Sequence, residues 1–194
     1  MRSTLRRLSD VESRGVFRAL LDSLAAPGEV RFLPVCEGIA SELLPLLCLA
    51  DLEVALATIT DSGDDIGEVI TSLTGSTATR ADRADLVLAR RIPLPAEVLS
   101  LPRGTALSPE RGSRLVMVCA GFSRGTGVRL SGPGVDDVKR LSIEGIPVAT
   151  MLAIAEANAC RPCGIDTHLV TPAGALVSIP RSCSLRVEDG AWVM

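Results

Sequence analysis

The stretch Ser113–Gly121, "SRLVMVCAG", decides the fold. Its centre, Leu115 to Val118, is unbroken apolar sequence, too short for a core helix and bounded by Arg114 and Gly121, so it reads as a strand covered on both faces. Two more segments have the same character: "LEVALATI" (Leu52–Ile59) and "ADLVLAR" (Ala84–Arg90), the second apolar at its centre and bounded by charge. Strands of this kind need a layer above and a layer below, and the chain supplies helical patterns between them.

Working outward, "SDVE" (Ser9–Glu12) reads as a capping box that opens a helix, with Phe17, Leu20, Leu21 and Leu24 on one face and Pro27-Gly28 as the stop. A short strand, "EVRFLP" (Glu29–Pro34), follows. Ile39 to Leu49 is a second apolar helical stretch carrying Pro45, and "DDIGEVITSLTG" (Asp64–Gly75) a third that Gly75 ends. Between Ile92 and Ser113 the Pro/Gly punctuation predicts a soft connection with at most one helical turn. "GVRLSGPG" (Gly127–Gly134) reads as the strand beside Ser113–Gly121, ending in a tight turn, and helical patterns resume from Val135. "PVATMLAIAEANAC" (Pro147–Cys160) is a helix with Pro147 at a permitted N-terminal position. Three short strands close the chain: "IDTHLVTP" (Ile165–Pro172), "GALVSIP" (Gly174–Pro180) and "SLRVED" (Ser184–Asp189). The expectation is an α/β fold, a layered mixed sheet flanked by helices, in one domain spanning residues 1–194.

Composition narrows the function. The chain has 194 residues, 20 Lys plus Arg against 23 Asp plus Glu, and a formal charge of −3, with the charges scattered, which leaves no footprint for nucleic acid. The longest strongly apolar run, Leu43 to Ala50, falls far short of the roughly 18 residues that span a bilayer. The basic start "MRSTLRRLSD" lacks the apolar run of a signal peptide, so the expected location is cytoplasmic. There the six cysteines stay mostly reduced and do not staple the fold. Apolar residues make up 47% of the chain but only four are aromatic (Phe17, Phe32, Phe122, Trp192), so burial rests on aliphatic side chains, some of them available to a partner chain.

Four features invite a chemical reading. Cys160 and Cys163 form a Cys-x-x-Cys pair close to His168, the chain's one histidine. A redox centre of the thioredoxin kind opens a helix whose dipole steadies the thiolate, whereas here the pair follows a helix end. Zinc has a formal four-ligand set in Cys160, Cys163, His168 and Cys183, if the strands bearing the last two lie side by side. Packed thiols and a structural histidine are the alternative. Ser131-Gly132-Pro133-Gly134, at a strand-to-helix handover, is placed to cradle an anion, though it has neither the spacing nor the ending of a nucleotide loop, and a rigid turn is the competing role. Arg181 in "IPRS" can hold a phosphate or phosphonate oxygen, or pair within the chain. Asp64, Asp65 and Asp166 give no pairing signal. Lys139, the one lysine, lies in "DDVKRL" (Asp136–Leu141) beside Arg140 on a predicted helix face, which argues against Schiff-base chemistry.

Taken together, "LSGPGVDD" (Leu130–Asp137), "PCGIDTHLV" (Pro162–Val170) and "IPRS" (Ile179–Ser182) resemble the PhnH family, a component of the bacterial carbon-phosphorus lyase system. "FRALLDSLAAPGEV" (Phe17–Val30) and "GTALSPERGSRLVMV" (Gly104–Val118) support the likeness. Arg161 stands where the family pattern has an aromatic, Cys163 falls in a variable slot, and "PRSC" departs from the usual ending while keeping Pro180 and Arg181. The resemblance implies a fold like the large domain of pyridoxal-phosphate transferases without the cofactor. It implies a homodimer that joins subunits G, I and J in phosphonate catabolism. That assembly, with ATP-dependent partners, makes a ribose 1-phosphonate 5-triphosphate whose carbon-phosphorus bond another component cleaves. No cofactor, metal or catalytic residue is expected in this chain, which reads as an accessory subunit. Gly132, Gly134, Asp166 and Arg181 are its candidate anion-binding or interface residues.

Overall fold

The structure, a computed structural model, describes residues 5–61 and 63–188. Residues 1–4 of the basic start, Asp189 of the last strand segment, and Trp192 lie outside them.

Helix α1 (Asp10–Ala25) begins as its capping box requires: the Ser9 hydroxyl accepts the Glu12 N–H at 3.3 Å, and the Glu12 carboxylate accepts the Ser9 N–H at 2.8 Å. Arg6 holds the same carboxylate at 2.6 Å. The buried face is Val16, Leu20 and Ser23, whereas Phe17 and Leu21 stay about half exposed at 47% and 49%. The expected stripe is therefore off by about one residue, or 100° of helix rotation.

Strand β1 (Arg31–Phe32) is a stub. A short 3₁₀ turn leads into helix α2 (Leu44–Leu49), where Pro45 sits in the first turn, the place a helix tolerates it. Strand β2 (Ala55–Ile59), helix α3 (Ile66–Thr74) and strand β3 (Thr77–Ala78) follow, with Gly75 ending α3 at φ 80°, a left-handed cap that glycine takes without a Cβ penalty. Strand β4 (Leu86–Ala89) is buried at every position. The connection from residue 92 to residue 113 holds helix α4 (Pro95–Leu99) and a 3₁₀ turn at Pro109–Arg111, more helix than its punctuation predicts. Strand β5 (Arg114–Val118) is the strand read from "SRLVMVCAG", and it lies in the middle of the large sheet.

Strand β6 (Gly121–Ser131) and strand β7 (Lys139–Glu144) form an antiparallel hairpin. This corrects two expectations. Residues from Val135 do not resume a helix: Gly134 at φ 78° and Asp137 at φ 60° turn the chain, and "KRLSIE" then alternates, with Leu141 and Ile143 on the core and Arg140 exposed. Nor is β6 the neighbour of β5. Helix α5 (Val148–Ala157) precedes strand β8 (Asp166–Val170), strand β9 (Ala175–Ile179) and strand β10 (Ser184–Val187). The large sheet runs β1-β9-β8-β5-β4-β2-β3 and the small one β10-β6-β7. In the large sheet β3, β2, β4, β5 and β8 are parallel, and β9 and β1 alternate antiparallel beyond them. Parallel β4 and β8 already satisfy both edges of β5, so β6 has no place beside it.

The two faces of the large sheet carry separate cores. Leu86, Leu88, Val116, Val170 and Leu176 meet Val16, Leu20, Leu46 and Ile70 from α1, α2 and α3. The intervening residues Val87, Ala89, Leu115, Met117 and Leu169 face Val98 of α4, Met151 and Ile154 of α5, and Val128, Leu130, Ile143 and Leu185 of the small sheet. This is the period-two pattern of a strand with an apolar layer on each side. Among the described residues no helix is long and apolar enough to cross a membrane.

Candidate functional site

Four sequence segments far apart in the chain meet at one surface depression of about 480 Å³. Pro133 comes from the β6–β7 turn, Arg161 and Pro162 from the loop after α5, and Arg181 and Ser182 from the turn after β9; Pro109 and Glu110 of the 3₁₀ turn before β5 complete it. Apart from the 3₁₀ turn, the lining residues lie in loops that leave a strand or a helix, so the sheets and α5 fix positions that the loops alone would not.

Asp166 and Arg181 form the base of this region. Asp166 opens β8 and Arg181 follows β9, and the antiparallel β8–β9 pairing carries the end of one beside the start of the other. The Asp166 carboxylate takes the Arg181 side chain bidentately, from Nε at 3.2 Å and Nη2 at 2.6 Å, and also accepts the Arg181 backbone N–H at 2.9 Å. The remaining Arg181 nitrogen, Nη1, donates to the Pro109 carbonyl. Every nitrogen of the guanidinium therefore has a partner inside the chain, and the two side chains are only 15% and 12% exposed. The packing around them is close: a Cβ on Gly112 would overlap the Gly164 carbonyl, and one on Gly164 would stand 2.5 Å from Asn158 Oδ1. Sequence reasoning gave Asp166 no partner, because the ion pair exists only through the strand register.

The placement of the depression bears on its chemistry. Arg114 and Asp166 pair at the first positions of parallel strands β5 and β8, so the site lies at the N-terminal edge of the parallel sheet. Ligand crevices of open α/β sheets lie outside the carboxyl ends. At that other end Arg90 pairs with Asp64 at 2.8 Å and Arg91 with Glu97 at 2.6 Å.

Gly132 and Gly134 lie in a strand-to-strand turn, so the helix N-terminus expected for an anion cradle is absent there. The Val135 N–H is given to the Gly132 carbonyl at 3.1 Å. A Cβ on Gly134 would stand 2.5 Å from the Ala25 carbonyl and one on Gly132 3.3 Å from Cys183 Cα, so both glycines serve close backbone packing. Lys139 sits on β7, not on a helix, with Nζ 4.0 Å from Glu29.

The formal zinc set does not assemble. His168 is buried in β8, with Nδ1 2.7 Å from the Ser178 hydroxyl on β9. Cys183 lies in the turn before β10, which belongs to the other sheet, and its thiol donates to the Pro133 carbonyl at 3.5 Å. Among the described residues no three His, Cys, Asp or Glu side chains are grouped to hold a metal ion. Burial pulls the His168 pKa down to about 4, against a smaller upward pull from Asp166, so the imidazole is neutral near pH 7. Cys160 is exposed, Cys163 half-buried, and all six cysteines are free thiols.

Comparison with known proteins adds a family. Residues 9–186 match the model described as bacterial phosphonate metabolism protein (PhnH). A putative C-P lyase subunit protein, HtxG, of Stutzerimonas stutzeri is 31% identical over 176 residues, covering 89% of this chain and 85% of the relative.

Proposed function

The chain belongs to the PhnH family of bacterial phosphonate metabolism, and from that premise we propose that it is an accessory subunit of the carbon-phosphorus lyase complex, docking partner subunits through the depression at Arg161. The observation that carries this reading is the convergence of Pro133, Arg161, Pro162, Arg181 and Ser182 on one wall. Pro133, Pro162, Arg181 and Ser182 come from the very segments that mark the family resemblance, Arg161 stands beside them where the family pattern has an aromatic, and Asp166 and Arg181 brace the wall from below. Arg181 is already bonded to Asp166 and Pro109, which favours a scaffold over a phosphonate receptor, and Gly132 and Gly134 shape the adjoining turn.

In this reading the chain forms a homodimer and joins subunits G, I and J, and the chemistry on ATP and phosphonate belongs to other components. The seven-stranded mixed sheet is read as the large-domain sheet of pyridoxal-phosphate transferases turned to assembly. Lys139, on the small sheet beside Glu29, supports a role without Schiff-base chemistry.

Co-expression with tagged subunits G, I and J tests the proposal. The wild-type chain is expected to co-elute with them, and Arg161→Glu to lower retention about tenfold, the loss of roughly 1.4 kcal/mol at an interface. A chain that elutes alone, or an Arg161→Glu variant retained like wild type, overturns docking at this site. Calorimetry of the isolated chain with methylphosphonate is expected to show no binding heat.

A further inference from the structure

The Cys160–Cys163 pair is not used by the docking role, and its local structure is specific. Helix α5 ends at Ala157, and Asn158 then bridges across the loop: its Oδ1 accepts the Ile165 N–H at 2.8 Å and its Nδ2 donates to the Ile165 carbonyl at 3.1 Å. Asn158 is 4% exposed, so both loop ends are pinned at a buried point. Within the loop the Cys163 N–H donates to the Cys160 carbonyl at 3.0 Å, the bond that closes a β-turn from residue i to residue i+3. The Gly164 N–H is held in turn by the Arg103 carbonyl at 2.8 Å.

A β-turn brings its first and last Cα atoms within about 7 Å. Disulfides span Cα separations of about 4.4–6.8 Å. The fold therefore holds two accessible free thiols on one hydrogen-bonded turn at bridging range. We propose that Cys160 and Cys163 are an oxidation site that closes to an intramolecular disulfide when the protein meets a small disulfide oxidant of the glutathione class. One cysteine, as thiolate, attacks the oxidant, forming a mixed disulfide and releasing one small thiol; the second cysteine attacks that mixed disulfide and releases the other. Two protein S–H bonds are lost, one S–S bond forms, and two electrons and two protons end on the oxidant's two thiols. Arg161 and Pro162, the residues between the cysteines, line the depression, so closing the ring constrains its wall. The inference stands whether or not that depression docks a lyase component.

The test equilibrates the full chain with oxidised and reduced glutathione, traps free thiols with an alkylating agent and digests with trypsin. The peptide Leu141–Arg181 contains Cys160 and Cys163 and no other cysteine, since the Arg161–Pro162 bond resists trypsin. It is expected to become lighter by two hydrogens and to escape alkylation. In Cys163→Ser the glutathione adduct on Cys160 is expected to persist. The closing equilibrium of the folded chain should exceed that of the isolated peptide about tenfold, because the turn is already formed. A peptide that stays alkylated at both positions, a wild-type adduct on Cys160 that never resolves, or equal equilibria for chain and peptide would each overturn the proposal.

Discussion

At the scale of single residues, Asp166 and Arg181 are the pair whose loss the fold should feel most. Removing one member of a largely buried, multiply hydrogen-bonded pair strands the other charge, at a cost of about 3–5 kcal/mol. Arg181→Met is expected to lower unfolding free energy in urea by that order, and the double variant Asp166→Asn/Arg181→Met by less than the two single losses added together. Additive losses would show that the pair is not coupled. His168 gives a second prediction. Its folded pKa of about 4 lies below the unfolded value of about 6.5, so between those pH values the unfolded chain binds a proton that the native chain refuses. Its contribution to stability is complete above about pH 6.5 and fades as pH falls toward 4, by about 3 kcal/mol in all. The urea midpoint of wild type should fall more steeply over this window than that of His168→Gln, and parallel curves would refute the assignment. A structural His168 and an Arg181 paired within the chain were among the readings the sequence offered, but the identity of Arg181's partner was not legible in it. Asp166 and Arg181 stand fifteen positions apart in the numbering, and only the β8–β9 turn makes them neighbours. His168 looked like a possible ligand because a strand position does not reveal which layer covers it.

At the scale of elements, the sequence spoke where a local rule dictates a local geometry. The Ser9/Glu12 box, the Gly75 cap and the fully apolar strands were legible for that reason. Replacing Ser9 with Ala removes the acceptor for the Glu12 N–H, and thermal or urea unfolding should show a loss of about 1 kcal/mol. No loss would mean that tertiary packing alone sets the start of α1. The β6–β7 hairpin was misread because Leu141 and Ile143 alternate over too few residues to distinguish a strand from one face of a helix. The deciding feature is the turn before it, where Gly134 takes φ 78° against the Ala25 carbonyl. Gly134→Ala must leave the left-handed region or strain there, at about 1–2 kcal/mol, and must also displace that carbonyl. It is expected to destabilise the protein by more than Ser9→Ala, as judged by the two urea midpoints.

At the scale of the whole molecule, the aliphatic composition hinted at a partner without saying where it sits. The structure gathers several exposed apolar residues around α5: Val148 and Leu152, one helical turn apart, are 47% and 51% exposed. Ile92 and Leu94 flank Pro93, whose carbonyl accepts the buried Thr150 hydroxyl at 3.1 Å, so the segment lies against the same helix. Leu107, by contrast, projects singly from a loop at 96% exposure, and scattered apolar residues of that kind need no partner. If the homodimer proposed above uses the α5 patch, a charge at its centre must be desolvated on association and will oppose it. Leu152→Glu is then expected to shift sedimentation equilibrium toward the monomer by at least tenfold in dissociation constant, about 1.4 kcal/mol, while Leu107→Glu leaves it unchanged. Equal behaviour of the two variants would move the dimer contact off α5. It would point instead to the edge of the large sheet at β1, where Phe32 is 69% exposed. Because Arg161 lines the depression and Leu152 does not, loss of the dimer with retention of the lyase partners would show that self-association and docking use different faces.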